Sequence, residues 1–345
     1  MQPYSQLNGL HAQQRGRIEL GRTVGVSVSS EFASVTSGRP NPLLRENFPS
    51  AKSQPKDAAA SGSAKVRFWG VRGSIPAPGP QTVRFGGNTS CVEVRADGQI
   101  IIFDAGSGLR SLGASLEAEF RGQPLEVTML ITHTHSDHIQ GFPFFAPAYE
   151  TRNRIRILGC SEDGSGLREA FAGQMESPYF PVPLSQMPGG VEFVTPGGET
   201  FGIGRIRASM CRTNHPGICH AYRLDTNEGS ICYIPDHEAG AADDAPGTAA
   251  VARLILGADL VILDSQYTAE EYRSRKGWGH SSIEDAVRTA HDAHVKRLVL
   301  FHHDPSHDDE CLDRMLQNAK RIATGSGMRI ESAREGGQIT LAERT

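Results

Sequence analysis

Short runs of β-prone residues recur along the chain from residue 65 onward, separated by segments rich in glycine, proline and aspartate. Runs of this length and composition predict β-strands. The predicted strands are KVRFWGV, SCVEVRA, QIIIFDAG, LEVTMLITH, RIRILGC, IRASMCRT, HAYRLD, SICYIPD, LVILDSQ, RLVLFHHD, RIESA and QITLAE.

Helical periodicity interleaves with some of these strands. It is found in SGLRSLGASLEAEF, GLREAFAGQM, TAAVARLILGA, SIEDAVRTAHDAH and DECLDRMLQNAKRIAT. Before SIEDAVRTAHDAH, Ser281 or Ser282 can cap the helix, and an acidic residue follows in the first turn. Antiparallel-looking strands come early and strand–helix alternation comes late, so we expect an α/β fold with two sheets faced by helices in one domain.

The first 63 residues differ from the rest of the chain in composition and in the pattern of hydrophobic positions. They are rich in Ser, Gly, Gln, Pro and Ala and show no sustained periodicity. This composition predicts a disordered N-terminal extension over residues 1–63, with a mispredicted start or a small folded domain as the alternatives. Residues 64–345 are expected to form the folded domain.

Composition and charge favour a globular protein over a dedicated nucleic-acid binder, a disulfide scaffold or a membrane protein. The 345 residues are 38% hydrophobic and 21% charged, with a formal net charge of −4, which is ordinary for a globular protein and unlike a dedicated nucleic-acid binder. The six cysteines form no CxxC pair, so neither a disulfide scaffold nor a zinc ribbon is indicated. No apolar stretch is long enough for a membrane span and no signal peptide is evident, so we expect a cytoplasmic location and no membrane partner.

Chemically capable residues follow the predicted strands, in FDAGSG, ITHTHSDH, YIPDHE, ILDSQY and LFHHDP. In open α/β architectures such strand ends converge on one site. The densest of them is HxHxDH, formed by His133, His135, Asp137 and His138. Imidazole nitrogens and a carboxylate oxygen suit zinc, with iron or manganese as alternatives. A polar turn of hydrogen-bonded histidines is the structural alternative, but its imidazoles would repel one another on protonation.

A two-metal site needs further ligands, and later strand ends offer them. RTNHPG supplies His215, YIPDHE supplies Asp236, and LFHHDP supplies His302 or His303. Asp236 follows an apolar run and a proline, where a solvated surface acid is unexpected, and its carboxylate could bridge two metals. Each residue alone is a weak signal, but their joint appearance after HxHxDH favours a metal centre.

The chain resembles the metallo-β-lactamase superfamily, in particular its ribonuclease Z and phosphodiesterase-like branch, over about residues 65–345. Besides HxHxDH, the resemblance rests on FWGVRGSIPAPGP, RFGGNTSCVEV, IIFDAGSGL and GWGHSS. It implies a four-layer αββα sandwich with two divalent metal ions at the edge of the sheets. It also implies that His133, His135 and His215 hold one ion, and that Asp137, His138 and a C-terminal histidine hold the other, with Asp236 bridging. The strand-then-histidine pattern favours His302 over His303.

Two further motifs bear on the reaction. In the resembling branch, the histidine of GHS faces the metals and an acid from an earlier strand end partners it, which implies His280 and Asp264 here. With Asp137, these two complete the expected catalytic set. A protonated imidazole can stabilise charge on a phosphate or donate a proton. His280 could instead only cap the following helix, and Asp264 could be a structural strand-end acid. Asp104 resembles an aspartate that orients a metal-bound histidine, although a turn-forming role is nearly as good.

Together these features predict a binuclear metal-dependent hydrolase, most consistent with a phosphodiesterase that uses a metal-bridging hydroxide. No long lysine-rich insertion stands out, so a small phosphodiester such as a cyclic nucleotide is favoured over nucleic acid. A lactonase or other carboxylic-ester hydrolase and ribonuclease Z-like RNA processing remain the alternatives, and a homodimer is one expectation for the assembly. Among the other histidines, we expect His220 to pack in a sheet and His237 to lie behind the metal ligands, and we expect His291, His294 and His307 at the surface.

Overall fold

The structure, a computed structural model, describes residues 63–159, 166–241 and 245–341. The predicted N-terminal extension lies outside these residues apart from position 63, so its disorder stays a prediction. The strands are β1 (Lys65–Gly70), β2 (Cys91–Ala96), β3 (Gln99–Phe103), β4 (Glu126–Leu130), β5 (Arg154–Leu158), β6 (Gly190–Val194), β7 (Thr200–Ile203), β8 (Ile206–Arg212), β9 (His220–Asp225), β10 (Ser230–Ile234), β11 (Leu260–Asp264), β12 (Arg297–Phe301), β13 (Arg329–Ser332) and β14 (Gln338–Thr340).

Besides three short 3-10 helices, at Phe142–Phe144, Ala146–Tyr149 and Leu184–Gln186, seven α-helices accompany these strands in the described part of the chain. They are α1 (Leu109–Phe120), α2 (Ser136–Ile139), α3 (Gly166–Gly173), α4 (Pro246–Ile255), α5 (Ala269–Arg273), α6 (Ile283–Asp292) and α7 (Asp309–Ile322). Ser282 is the residue that caps α6, because its side chain accepts a hydrogen bond from the Asp285 N–H. This settles the choice between Ser281 and Ser282 that the sequence leaves open.

The strands form two seven-stranded mixed sheets. The first has the order β14-β1-β2-β3-β4-β5-β6 and the second β13-β12-β11-β10-β9-β8-β7. In the first sheet β3 to β6 run parallel, and in the second β10 to β13 do so. Parallel neighbours end at the same edge of a sheet, so the residues that follow them are brought together.

Three apolar clusters define four layers. One lies between the sheets and includes Phe103, which stacks on Tyr233 with ring centroids 4.7 Å apart. A second packs α4, α6 and α7 on the outer face of the second sheet, and a third packs α1 and α3 on the first. This arrangement is the αββα sandwich expected from the sequence, and the fold prediction is confirmed.

The twelve predicted strands and five predicted helices are all present, whereas β6, β7, α2 and α5 were not predicted. β6 and β7 are edge strands with half-exposed, glycine-containing sequences, GVEFV and TFGI. α2 and α5 have only four and five residues, too few for a periodic pattern. The described cysteines are all free, and no described helix is long and apolar enough to cross a membrane.

Candidate active site

One group of imidazoles lies just beyond the end of β4. His133 and His135 follow the strand two residues apart, and His215 comes from the loop after β8. The ring centroid of His133 is 4.4 Å from that of His135 and 4.8 Å from that of His215. A nitrogen of each ring lies within 4.8 Å of the others. His135 is the exposed member, so the group opens to solvent on that side.

A second group lies beside the first and joins the two sheets. Asp137 and His138 belong to α2, which follows β4 after the loop that carries His133 and His135, and His302 follows β12. Oδ2 of Asp137 lies 3.1 Å from Nε2 of His138 and 3.2 Å from Nε2 of His302. All three side chains are buried.

Asp236, which follows β10, stands between the two groups. Its Oδ1 lies 3.1 Å from Nε2 of His138 and 3.4 Å from Nε2 of His302. Its Oδ2 lies 3.7 Å from Nε2 of His133 and 3.4 Å from Nε2 of His215. One carboxylate oxygen therefore faces each group, which is the arrangement that a bridging carboxylate requires.

The structure separates the two neighbouring histidines after β12. His302 lies in the second group, whereas His303 points away and its Nε2 donates to the carbonyl oxygen of Ala333, 3.0 Å distant. His302 has a left-handed backbone, with φ 61°. Gly73 packs against its ring so closely that a Cβ at position 73 would lie 2.4 Å from Nδ1 of His302. The placement agrees with the preference for His302.

Buried acceptors fix the orientation of two of these imidazoles. Nδ1 of His138 lies 2.7 Å from Oδ2 of Asp104, which also accepts from Tyr233 Oη at 3.0 Å. Nδ1 of His302 lies 3.0 Å from Oε1 of Gln266. When Nδ1 carries the proton and donates it, Nε2 keeps its lone pair and faces the cluster. Asp104 thus has the position expected of an orienting aspartate, in a turn with φ 55°.

Most of the protonation states suit metal binding. The exception is His138, whose burial is outweighed by the carboxylates of Asp137, Asp236 and Asp104, so that its pKa is raised. A metal ion would therefore have to displace a proton from its ring. Burial lowers the pKa of His133, with the nearby His138 adding to the effect, and burial lowers the pKa of His215 to about 4. Burial alone would raise the pKa of Asp137 and Asp236, but the surrounding imidazoles outweigh it and hold both pKa values below the ordinary range. Neutral imidazoles and ionised carboxylates are the forms that coordinate metals.

The residues fit divalent metal ions. Nε2 of His133 and Oδ1 of Asp236 are buried and have no hydrogen-bond partner among the described residues, which is costly for polar atoms unless something else satisfies them. The donors are imidazole nitrogens and carboxylate oxygens without thiolate, a set that suits zinc and also manganese or iron.

A hydrogen-bonded Asp–His pair borders the cluster. Asp264 is the last residue of β11, and its Oδ2 lies 2.7 Å from Nδ1 of His280. The ring of His280 stacks on that of His302 with centroids 4.9 Å apart. Burial would lower the pKa of His280, but the carboxylate of Asp264 outweighs this effect and raises it to about 9. The pair therefore places a carboxylate-bound imidazole beside the cluster. Ser282, and not His280, caps α6.

The remaining histidines follow their expectations with one exception. His220 packs in β9 and His237 is buried behind Asp236, while His291 is exposed. His307 was expected at the surface, and this prediction is wrong. It is only 5% exposed, and its Nε2 lies 2.9 Å from Oε1 of Glu271 in α5.

Two buried residues near the cluster were missed by the sequence analysis. Gln266 stands two positions after Asp264, and this spacing in DSQY was the available signal. Glu238 follows Asp236 at the same spacing, and its carboxylate accepts hydrogen bonds from Tyr272 Oη and from the N–H groups of Gly277 and Gly279. No local pattern indicated that this carboxylate would hold the loop at Gly277–Gly279, because Glu238 and this loop are some 40 residues apart in the sequence.

A four-layer αββα sandwich with a histidine and aspartate cluster at the strand ends defines a hydrolase of the metallo-β-lactamase fold. The family profile described as "Beta-lactamase superfamily domain" matches residues 99–303, and this chain belongs to that family. The chain is also similar to proteins named ribonuclease Z, in agreement with the resemblance described from the sequence.

Individual relatives support the same assignment. The ribonuclease Z of Aeropyrum pernix is 26% identical over 271 residues, which cover 65% of this chain and 84% of that protein. The metallo-β-lactamase fold protein YhfI of Bacillus subtilis has a TM-score of 0.60 and 19% identity, over 80% of this chain and 99% of its own. The short form of human tRNase Z has a TM-score of 0.54 and 19% identity, over 80% of this chain and 99% of its own. Both solved structures share the fold.

Proposed function

We propose that this chain is a binuclear metal-dependent phosphodiesterase that acts on a small phosphodiester. His133, His135 and His215 would hold one divalent cation, and Asp137, His138 and His302 the other, with one oxygen of Asp236 directed at each. Zinc is the favoured metal, with manganese and iron as alternatives. Two such cations would lower the pKa of water and offset charge on phosphoryl oxygens.

The observation that carries the phosphodiesterase assignment is the Asp264–His280 pair beside the cluster. An imidazole that donates from Nδ1 to Asp264 presents its Nε2 side to a substrate. In its protonated form it stabilises charge on a non-bridging phosphate oxygen or gives a proton to the departing oxygen. A carboxylic-ester hydrolase has one oxyanion to stabilise and a weaker need for this second cationic group, so the pair favours phosphoester chemistry over the lactonase alternative.

Two features bear on the size of the substrate, namely the net charge of the chain and the segment between HxHxDH and His215. The net charge is −4, and strands, a short helix and loops occupy the described parts of residues 140–212. A protein that binds a polynucleotide usually gains affinity from many phosphate contacts to Lys and Arg. These features favour a small substrate such as a cyclic nucleotide, while the relatives named ribonuclease Z keep RNA processing as the second candidate.

The proposed role of His280 separates chemistry from metal binding. In the metal-loaded protein, we expect His280→Ala to lower kcat for bis(p-nitrophenyl) phosphate by about 10²-fold or more, while metal content measured by elemental analysis is retained. His291→Ala, at an exposed position of α6, is the matched control and should change neither quantity. If His280→Ala loses metal and turnover in equal proportion, His280 is a ligand or a structural residue, and its proposed role is wrong.

A further inference from the structure

The segment Arg273–Gly279, which connects the end of α5 to His280, carries an exposed indole beside the cluster. Trp278 is 60% exposed, whereas the next two residues, Gly279 and His280, are buried. Burying a large aromatic side chain is usually favourable by a few kcal/mol, so an exposed one held next to a reactive group is suited to contact with another molecule.

Buried contacts hold this segment in place. The carboxylate of Glu238 is 6% exposed and accepts from the Gly277 N–H at 2.9 Å, from the Gly279 N–H at 3.1 Å and from Tyr272 Oη at 2.7 Å. Gly277 and Gly279 have φ values of 84° and 89°, which glycine adopts without strain. The two residues that flank Trp278 are therefore fixed to the protein interior, and the indole is presented from an ordered loop.

The loop lies directly against the metal cluster. A Cβ added at Gly279 would lie 2.5 Å from Cδ2 of His215, so the backbone next to Trp278 touches an imidazole of the first group. His280, two residues after Trp278, stacks on His302 of the second group. A substrate whose phosphate reaches the cluster would place its neighbouring substituent within reach of this loop.

The same segment is locally basic in a chain of net negative charge. Arg273 and Lys276 are exposed, and Arg275 is half-buried with its guanidinium 4.9 Å from the centroid of the Tyr267 ring. That ring lies 5.9 Å from the ring of His280. Three cations and one exposed aromatic residue within six positions are the combination that binds a base together with phosphate.

We propose that segment Arg273–Gly279 is a nucleoside subsite, in which Trp278 stacks on the base of a nucleoside phosphodiester while Arg275 and Lys276 attract its anionic charge. This inference rests on the proposed phosphodiesterase function and makes it more specific. The substrate would carry a base beside the scissile phosphate, in preference to a simple alkyl phosphodiester.

Fluorescence tests the subsite without catalysis. The chain has two tryptophans, so Trp69→Phe leaves Trp278 as the sole indole. Titrating this metal-loaded variant with thymidine 5′-monophosphate should quench its emission, because the base stacks on the indole, and methyl phosphate should not. Equal responses to the two compounds would overturn the inference whatever the enzyme hydrolyses.

Kinetics test the same contact during turnover. Thymidine 5′-(p-nitrophenyl phosphate) and methyl p-nitrophenyl phosphate share a leaving group and differ in the other ester substituent, which is a nucleoside in the first and a methyl group in the second. We expect Trp278→Ala to lower the ratio of their kcat/KM values roughly tenfold, and Trp278→Phe to keep most of the ratio. Leu256→Ala is the control, since Leu256 is 58% exposed and precedes β11 at the end opposite to Asp264.

The outcomes distinguish the two proposals. If the unmodified protein hydrolyses both esters and Trp278→Ala leaves their ratio unchanged, the subsite is wrong and the phosphodiesterase proposal stands. If the metal-loaded protein hydrolyses neither ester yet thymidine 5′-monophosphate quenches Trp278, the nucleoside subsite stands and the proposed reaction is wrong.

Discussion

At the scale of single residues, the candidate ligands differ in what holds them. His138 donates to the charged carboxylate of Asp104, whereas His302 donates to the neutral amide of Gln266. Gln266 in turn donates from Nε2 to Oδ2 of Asp304 at 3.2 Å, which fixes which end of the amide faces the imidazole. A hydrogen-bonded Nδ1 keeps the ring oriented and its Nε2 available for a metal. Because the acceptor of His302 is a neutral amide, replacing Gln266 tests this orienting role without removing a buried charge.

Replacing Gln266 should therefore weaken metal binding. We expect Gln266→Leu to raise the dissociation constant of the ion proposed to bind Asp137, His138 and His302 about tenfold or more, because His302 loses the acceptor that selects its tautomer. Competition with a chelator of known affinity measures this change. Gln123→Leu is the control, since Gln123 is exposed and precedes β4 at the end opposite to the site. Unchanged metal affinity in Gln266→Leu would show that packing alone orients His302.

HxHxDH could be found from the sequence because its four residues are adjacent and their chemistry is unusual. His215, Asp236 and His302 could be found only in combination, as strand-end residues in a recognisable order. For Gln266 the only signal was its spacing from Asp264, and Glu238 could not be found, because an amide or carboxylate becomes important only through a partner that the fold brings to it. The ligand roles of HxHxDH, His215, Asp236 and His302 stay predictions that the geometry supports, and so does the catalytic role of His280.

At the scale of elements, loops tied by buried acceptors position the reactive side chains. In the loop Gly277–His280, the backbone N–H groups of Gly277 and Gly279 donate to the carboxylate of Glu238, which also accepts from Tyr272 Oη of α5. Because both N–H groups end on one buried carboxylate, losing that acceptor would loosen the loop at Gly277 and Gly279, whereas His280 would keep its contact with Asp264.

Glu238→Gln tests this coupling. The amide nitrogen would face backbone N–H groups, so we expect faster hydrogen exchange at Gly277 and Gly279 and about tenfold lower kcat as His280 becomes less well placed. Exchange mass spectrometry and steady-state kinetics measure the two effects. Glu284→Gln, at the start of α6, serves as the control. Loop exchange that matches the unmodified protein would show that other contacts hold the loop.

The elements themselves were largely predictable. Strands such as SICYI and LVILD are buried along their whole length, and this burial is visible as an uninterrupted apolar run. The edge strands β6 and β7 have one solvent-facing side and no such run. Which strand pairs with which could not be predicted from the runs, because pairing depends on contacts between residues far apart in sequence.

At the scale of the whole molecule, the candidate ligands come from both sheets. Asp137 and His138 follow β4 of the first sheet, while Asp236 and His302 follow β10 and β12 of the second. Cations bound there would connect the two halves of the sandwich at one edge and neutralise two buried carboxylates. The metal should therefore contribute to the stability of the fold as well as to its chemistry.

Metal removal should lower the thermal stability. We expect dialysis against a chelator to lower Tm by about 5 °C or more, given about 2.7 kcal/mol of linkage at a hundredfold excess over Kd, and added zinc to restore it. Differential scanning calorimetry measures the shift. Asp236→Asn should show little dependence of Tm on zinc, and a full zinc-dependent shift in that variant would show that Asp236 is not a ligand.

The most direct test of the central proposal is a substrate comparison with the metal-reconstituted protein. Bis(p-nitrophenyl) phosphate, a cyclic nucleotide, a precursor transfer RNA and an acyl-homoserine lactone are assayed at matched concentrations. The proposal predicts hydrolysis of bis(p-nitrophenyl) phosphate and of the cyclic nucleotide, lost in His280→Ala. Cleavage of the precursor transfer RNA without the cyclic nucleotide would favour RNA processing, and activity on the lactone alone would contradict the phosphodiesterase proposal.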